Sequence, residues 1–145
     1  MGSLEMSAQF EAKTVVLCED EAATVVHLKK ILEREGFRVV AMSTDGRDAV
    51  DQVLRERPDV VLMDINLPNM DGIEATRRIF GTYRTYRPCI LMVTAYGDEE
   101  HRTRAMEAGA SGYIVKPYSP QELIDQVKIA ISRCEEERVS RLFGA

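Results

Sequence analysis

The stretch VVLMDINLPNMDG, residues 60 to 72, decides how the chain reads. Its first four residues are apolar without alternation, as in a strand buried on both faces. Asp64 follows at once, and Pro68, Asp71 and Gly72 then mark a loop and the start of a helix. A carboxylate where a buried strand meets its loop is costly to desolvate and easy to aim. Taken alone, Asp64 reads as a turn residue, a metal ligand or a nucleophile, the turn residue being the commonest of the three.

Outward from this stretch the same alternation continues. Apolar runs at 13–18, 37–42, 59–64, 89–95 and 111–116 read as strands. Segments of helical period separate them. The first carries Val25, Leu28, Ile31 and Leu32 and stops at Gly36. The second carries Ala49, Val50, Val53 and Leu54 and stops at Pro58. The third is DGIEATRRIFGTY, and the fourth, DEEHRTRAMEAGA, ends on Gly109. A long fifth helix follows Pro117 and runs to about Leu142, with Ser119 as N-cap, Pro120 at N1 and Glu122 at N3 to complete a capping box. Five βα units in strict alternation define an α/β fold: a doubly wound, five-stranded parallel sheet with helices on both faces. Periodicity leaves the strand order open. The flavodoxin-like order 2-1-3-4-5 is adopted because it makes the strand ends cohere.

Composition narrows the function. The chain has 145 residues, the size of one domain, and 45% of them are hydrophobic. A net charge of -5 argues against direct contact with nucleic acid, which needs a basic face. No apolar run approaches the ~20 residues of a membrane span. Residues 1–12 have no secretory signal and are expected to be a disordered leader or a remnant of expression, with the folded domain over 13–134. Residues 135–145 are expected to extend the last helix or begin a linker. Cys18, Cys89 and Cys134 lack a Cys-x-x-Cys spacing and read as reduced thiols of a cytoplasmic protein. His27 and His101 read as surface residues, and Met63, Met70, Met92 and Met106 as core and loop packing.

In parallel α/β sheets, ligands bind beyond the carboxyl ends of the strands. Those ends here carry Glu19-Asp20, Asp64, Thr94 and Lys116. In the order 2-1-3-4-5 they line one crevice. Two unit charges about 4 Å apart repel by about 4 kcal/mol at an effective dielectric near 20. Glu19, Asp20 and Asp64 together, offset only by Lys116, would need a cation, and all-oxygen ligands suit Mg²⁺, with Mn²⁺ as a substitute. A carboxylate can attack phosphorus to form an acyl phosphate, with a metal, an ammonium and a hydroxyl neutralising the equatorial oxygens. Asp64 is then best read as the nucleophile, Asp20 as a metal holder, and Lys116 and Thr94 as phosphoryl contacts.

At this point the chain resembles a receiver domain of a two-component response regulator. The likeness runs from about Lys13 to Cys134 and rests on LCEDE, PDVVLMDINLPNMDG, VTA, AGASGY and VKP in this order. It implies Asp64 as the acceptor of a phosphoryl group from a histidine kinase or histidine phosphotransfer protein. It implies Asp20 and Asp64 as direct Mg²⁺ ligands, Glu19 acting through water, and Asn66 acting through its backbone carbonyl. It also implies a cis Lys116-Pro117 bond, and Tyr113 as the aromatic that changes rotamer with Thr94. Asn66 and Tyr96 stand where this family tunes the lifetime of the phosphoryl group. The acidic pair is Glu-Asp rather than the commoner Asp-Asp.

Such a domain is not an enzyme in the ordinary sense, although it catalyses its own phosphorylation and dephosphorylation. It signals to a downstream protein or output domain, or to a second copy, through helix 4, strand 5 and helix 5. Along helix 5, Ile124, Val127, Ile131 and Cys134 follow helical spacing, either as an interface stripe or as a core-facing one. Two alternatives are weighed. A Mg²⁺-dependent phosphohydrolase with an Asp nucleophile wants a second acid two residues on, where Asn66 stands and cannot take a proton. A degenerate receiver acting only as a binding module would not need Glu19, Asp20, Asp64, Thr94 and Lys116 together.

Overall fold

The computed structural model describes residues 12–82 and 85–144. The leader expected at 1–12 therefore lies outside the described residues except for Ala12, as do Tyr83, at the expected end of the third helix, and Ala145. The elements are β1 (Thr14–Cys18), α1 (Ala22–Arg34), β2 (Arg38–Ser43), α2 (Gly46–Glu56), β3 (Val60–Met63), α3 (Gly72–Thr82), β4 (Cys89–Thr94), α4 (Glu99–Ala108), β5 (Gly112–Val115) and α5 (Pro120–Phe143). The strands form one parallel sheet in the order β2-β1-β3-β4-β5. The fold is the flavodoxin-like α/β architecture expected from the alternation of apolar runs and helical segments.

Successive side chains of a strand point to opposite faces, and the core divides accordingly. Val16, Cys18, Val61, Met63, Ile90 and Met92 meet α2, α3 and α4 on one face through Val53, Ile79 and Ala105. Val15, Leu17, Val60, Leu62, Leu91 and Val93 meet α1 and α5 on the other through Leu32, Leu123 and Val127. The inner strands β1, β3 and β4 are buried almost throughout, which explains their unbroken apolar sequence. Strand β2 departs from that reading. It is an edge, and Arg38 and Met42 are exposed, because only one strand neighbours it.

Local chemistry sets the ends of the elements. Ser119 Oγ accepts the Glu122 N–H at 3.1 Å, with Pro120 opening α5. Arg57 ends α2 in the left-handed region (φ 46) just ahead of Pro58, and Gly109 ends α4 at φ 118. Two packing expectations change. Ile124 and Val127 are buried, and Ile131 and Cys134 pack half-buried against the same cluster, so the stripe faces the core and not an interface. The exposed apolar residues of α5 are Ile129, Val139, Leu142 and Phe143. Met106 is also exposed, because α4 turns it away from the sheet.

Candidate functional site

Ladder hydrogen bonds fix where each strand delivers its last residue. The Glu19 N–H donates to the Ser43 carbonyl (2.9 Å), the Asp64 N–H to the Cys18 carbonyl (2.9 Å) and the Lys116 N–H to the Thr94 carbonyl (2.8 Å). The backbone thus brings Glu19, Asp20, Asp64, Thr94 and Lys116 to the carboxyl edge of β1, β3, β4 and β5. Ligand atoms of Glu19, Asp20 and Asp64 all lie within 4.8 Å of one another. Glu19 and Asp64 are buried, at 3% and 7% exposure, whereas Asp20 faces solvent.

Lys116 Nζ donates to Asp64 Oδ2 at 3.1 Å and also bonds Glu19 Oε1. The Asn66 N–H donates to Asp64 Oδ1 at 3.1 Å, and the Glu21 N–H to Glu19 Oε2 at 3.3 Å. The pocket holds three carboxylates against one ammonium. Burial raises the Glu19 carboxyl above its usual range, and the Asp64 charge adds to this while the Lys116 bond opposes it. For Lys116, burial acts to lower the ammonium, but its bonds to Glu19 and Asp64 outweigh that and hold it above the usual range. A compact, all-oxygen, net-negative donor set fits a hard divalent cation.

Thr94 is fully buried, and its Oγ1 accepts the Tyr96 N–H at 3.4 Å. The Tyr113 hydroxyl donates to the Tyr96 carbonyl at 2.5 Å, and the Arg102 guanidinium sits 4.6 Å from the centre of its ring. Burial raises the Tyr113 phenol, with Asp98 adding to the shift and Arg102 opposing it. Tyr96 stacks on His101 with centroids 4.3 Å apart, and His101 Nδ1 bonds the Asp98 carboxylate at 2.7 Å. His101 is therefore half-buried rather than a free surface residue, while His27 is exposed. The Lys116-Pro117 bond is cis. Asn66 and Tyr96 lie exposed beside the pocket.

Two glycines shape the 64–72 loop: Gly72, already marked in the sequence as the start of a helix, and Gly46, which was not singled out. A Cβ on Gly72 would stand 2.0 Å from the Asp64 carbonyl oxygen, and one on Gly46 would stand 1.7 Å from that of Met70. Each follows an aspartate that caps its helix. Asp45 Oδ1 accepts the Asp48 N–H at 2.8 Å, and Asp71 Oδ1 accepts those of Ile73 and Glu74 at 2.8 and 2.9 Å. The repeated Asp-Gly pair at 45–46 and 71–72 was the available signal. The direct Glu19–Lys116 bond was also missed.

Comparison with known proteins identifies the class. Residues 15–128 match the response regulator receiver domain family, and the chain belongs to it. Among curated relatives, the transcriptional regulatory protein PdtaR of Mycobacterium tuberculosis is 36% identical over 124 residues, 86% of this chain and 59% of the relative. The chain thus spans well under two thirds of that relative's length. Among solved structures, a two-component response regulator of the LuxR family from an Aurantimonas species superposes with a TM-score of 0.78 at 32% identity, covering 83% of this chain and 86% of that one. A CheX–CheY–BeF3–Mg complex from Borrelia burgdorferi gives a TM-score of 0.75 at 29% identity, covering 79% and 86%. The chain is a signalling domain of two-component systems. No helix of the described residues is long and apolar enough to cross a membrane.

Proposed function

We propose that this receiver domain accepts a phosphoryl group on Asp64 from the phosphohistidine of a histidine kinase or histidine phosphotransfer protein. The buried Asp64 carboxylate, packed between two further acids and one ammonium, carries this reading. An Asp64 oxygen attacks phosphorus, the P–N bond breaks, and the imidazole leaves. Lys116 moves from its carboxylate partners onto a phosphoryl oxygen, and the Thr94 hydroxyl turns from the Tyr96 N–H to a second. Asp20 and Asp64, with the Asn66 carbonyl and Glu19 through water, would hold Mg²⁺ or Mn²⁺. When bound, the cation supplies the positive charge that lets a carboxylate and a phosphoryl group approach. The relative solved with BeF3 and Mg supports this choice of ion and group. Hydrolysis of the acyl phosphate resets the switch.

The same hydroxyl movement would carry the signal out. A phosphoryl group adds about two negative charges. Thr94 drawn toward them frees the Tyr96 N–H, and Tyr113, hydrogen-bonded to the Tyr96 carbonyl, follows. This couples the pocket to the surface of α4, β5 and α5, where a downstream protein, an output domain or a second copy would bind. A cytoplasmic location fits such partners.

Incubation with acetyl phosphate and Mg²⁺ should add one base-labile phosphoryl group, seen by intact-protein mass spectrometry. Equal labelling of Asp64→Asn would overturn the assignment. Beryllofluoride should change amide exchange through residues 97 to 131. Changes confined to the pocket would exclude this route.

A further inference from the structure

At the opposite, amino-terminal end of the sheet lies an open groove of about 890 Å³ between the segment joining α3 to β4, the start of β5 and the outer turns of α5. Cys134 lines it from α5, half-buried, with its Sγ 3.0 Å from Ser111 Oγ. Behind it, Cys89 opens β4 in the core, at 4% exposure, and Cys134 packs against the same cluster of side chains. The proposed phosphotransfer uses neither residue. We propose that Cys89 and Cys134 form a peroxide-oxidisable thiol couple, closing into a disulfide that ties α5 to the first residue of β4.

The two sulfurs are unequal in the way such a couple needs. The neighbouring Cys89 thiol pushes the Cys134 thiol down to about 7; Ser111 and Arg138 help, while burial and Glu137 oppose. Cys134 beside it, together with burial, holds the Cys89 thiol well above its usual range. The lowered Cys134 thiol thus stands at the wall of a groove open to solvent, where a thiolate can be reached. Cys18 is a built-in control. It is buried on the other face of the sheet, and its thiol is raised chiefly by burial.

The chemistry balances with a hydroperoxide as oxidant. The Cys134 sulfur attacks one peroxide oxygen and the O–O bond breaks. Sulfur is oxidised to a sulfenic acid, and the second oxygen leaves as water or an alcohol, carrying the thiol proton. Cys89 Sγ then attacks the sulfenic sulfur. An S–S bond forms, and the hydroxyl departs as water with the Cys89 proton. A small dithiol reopens the bond by exchange.

The test uses the full chain, reduced and freed of metal by EDTA. After hydrogen peroxide and blocking of free thiols, wild type should lose two hydrogens per chain. It should give one peptide linked through Cys89 and Cys134, reversed by dithiothreitol. Cys134→Ser should give no linked peptide. Cys89→Ala should leave a Cys134 sulfenic acid that dimedone traps. In untreated folded wild type, iodoacetamide should label Cys134 at least about ten-fold faster than Cys18. Only cross-links between chains, over-oxidised Cys134 without the two-hydrogen loss, or equal labelling of Cys134 and Cys18 would overturn the proposal. The wild-type arms decide it even if Cys89→Ala does not fold.

Discussion

The two ends of the sheet are built from the same strands but solve opposite problems. At the amino end, polar groups satisfy one another within the chain. Asp59 Oδ2 accepts the Thr14 N–H at 2.8 Å and its hydroxyl at 3.2 Å, the Asp59 N–H returns a bond to Thr14, and the Tyr86 hydroxyl donates to the Pro58 carbonyl at 2.8 Å. At the carboxyl end, Glu19, Asp20 and Asp64 converge on a single ammonium. An acid at the first end completes a fold; the acids at the second outnumber the one ammonium they share. Burial alone does not separate the two kinds of acid: the pocket's Asp20 is as open to solvent as Asp59. The excess of like charge does.

Substitutions at each end test this contrast. The largest effect should come from Gly46→Ala, whose new Cβ meets the Met70 carbonyl at 1.7 Å. A loss of about 3 kcal/mol in urea unfolding is expected, because backbone must move to relieve the overlap. A near-neutral result would show that the loop beside the pocket is loose.

Lys116→Met should come next. It removes the ammonium bonded to Glu19 and Asp64, leaving two buried carboxylates facing each other. Stability in EDTA at pH 7 should fall by about 2 kcal/mol, after allowance for the partial exposure of Lys116. Because the Glu19 carboxyl sits above its usual range, its protonated form favours the folded state. The deficit should therefore shrink as pH falls through the raised Glu19 value. A deficit that does not change with pH would mean that lost packing, not charge, explains the effect.

The sharpest comparison pairs two exposed acids. Asp59→Ala should cost about 1 kcal/mol in thermal melts, since Thr14 loses its acceptor. Asp20→Asn should instead stabilise the metal-free chain by roughly a few tenths of a kcal/mol, by thinning a like-charge cluster. It should also forfeit the stabilisation that added Mg²⁺ gives wild type. The same sign for both substitutions in EDTA would erase the distinction between the two ends.

The smallest effect concerns Asp98. Hydrogen bonds from the His101 ring and N–H hold its carboxyl below its usual range. A depressed acid stabilises the fold above its unfolded value, near 4, and that contribution fades as pH falls through the depressed value. Wild type should thus be slightly more stable than Asp98→Asn at neutral pH, and chemical denaturation should show the two converging in strong acid.

Much of this was legible in the chain. Unbroken apolar runs locate β1, β3 and β4, because burial on both faces leaves no polar position to interrupt them. The ends of those runs give the pocket residues, because parallel strands deliver their last residues to one edge. Strand order was not legible from periodicity; it was adopted because it brings the charged strand ends into one crevice, a choice not independent of the resemblance. Long-range side-chain pairings were also hidden. Lys116 and Glu19 are 97 residues apart, and their bond depends on how far a lysine reaches across neighbouring strands. Helical spacing gave the stripe Ile124, Val127, Ile131 and Cys134 but not the object it faces, which is the sheet. The Asp-Gly pairs mark the two glycines, but not the Met70 and Asp64 carbonyls they lie against, because a missing side chain does not name its neighbour.

The light seating of α4 has a consequence for motion. Its buried residues are Ala105 and Ala108, whereas α5 buries Leu123, Ile124, Val127 and Ala130. Each buried methylene is worth about 0.8 kcal/mol, so two alanines anchor a helix far more weakly than a leucine, an isoleucine and a valine. Local opening free energy should be low at α4 and approach the global value at α5. The helix beside Tyr113 then opens many times for each excursion of the core, so the face proposed for partners can rearrange while the sheet beneath it stays closed.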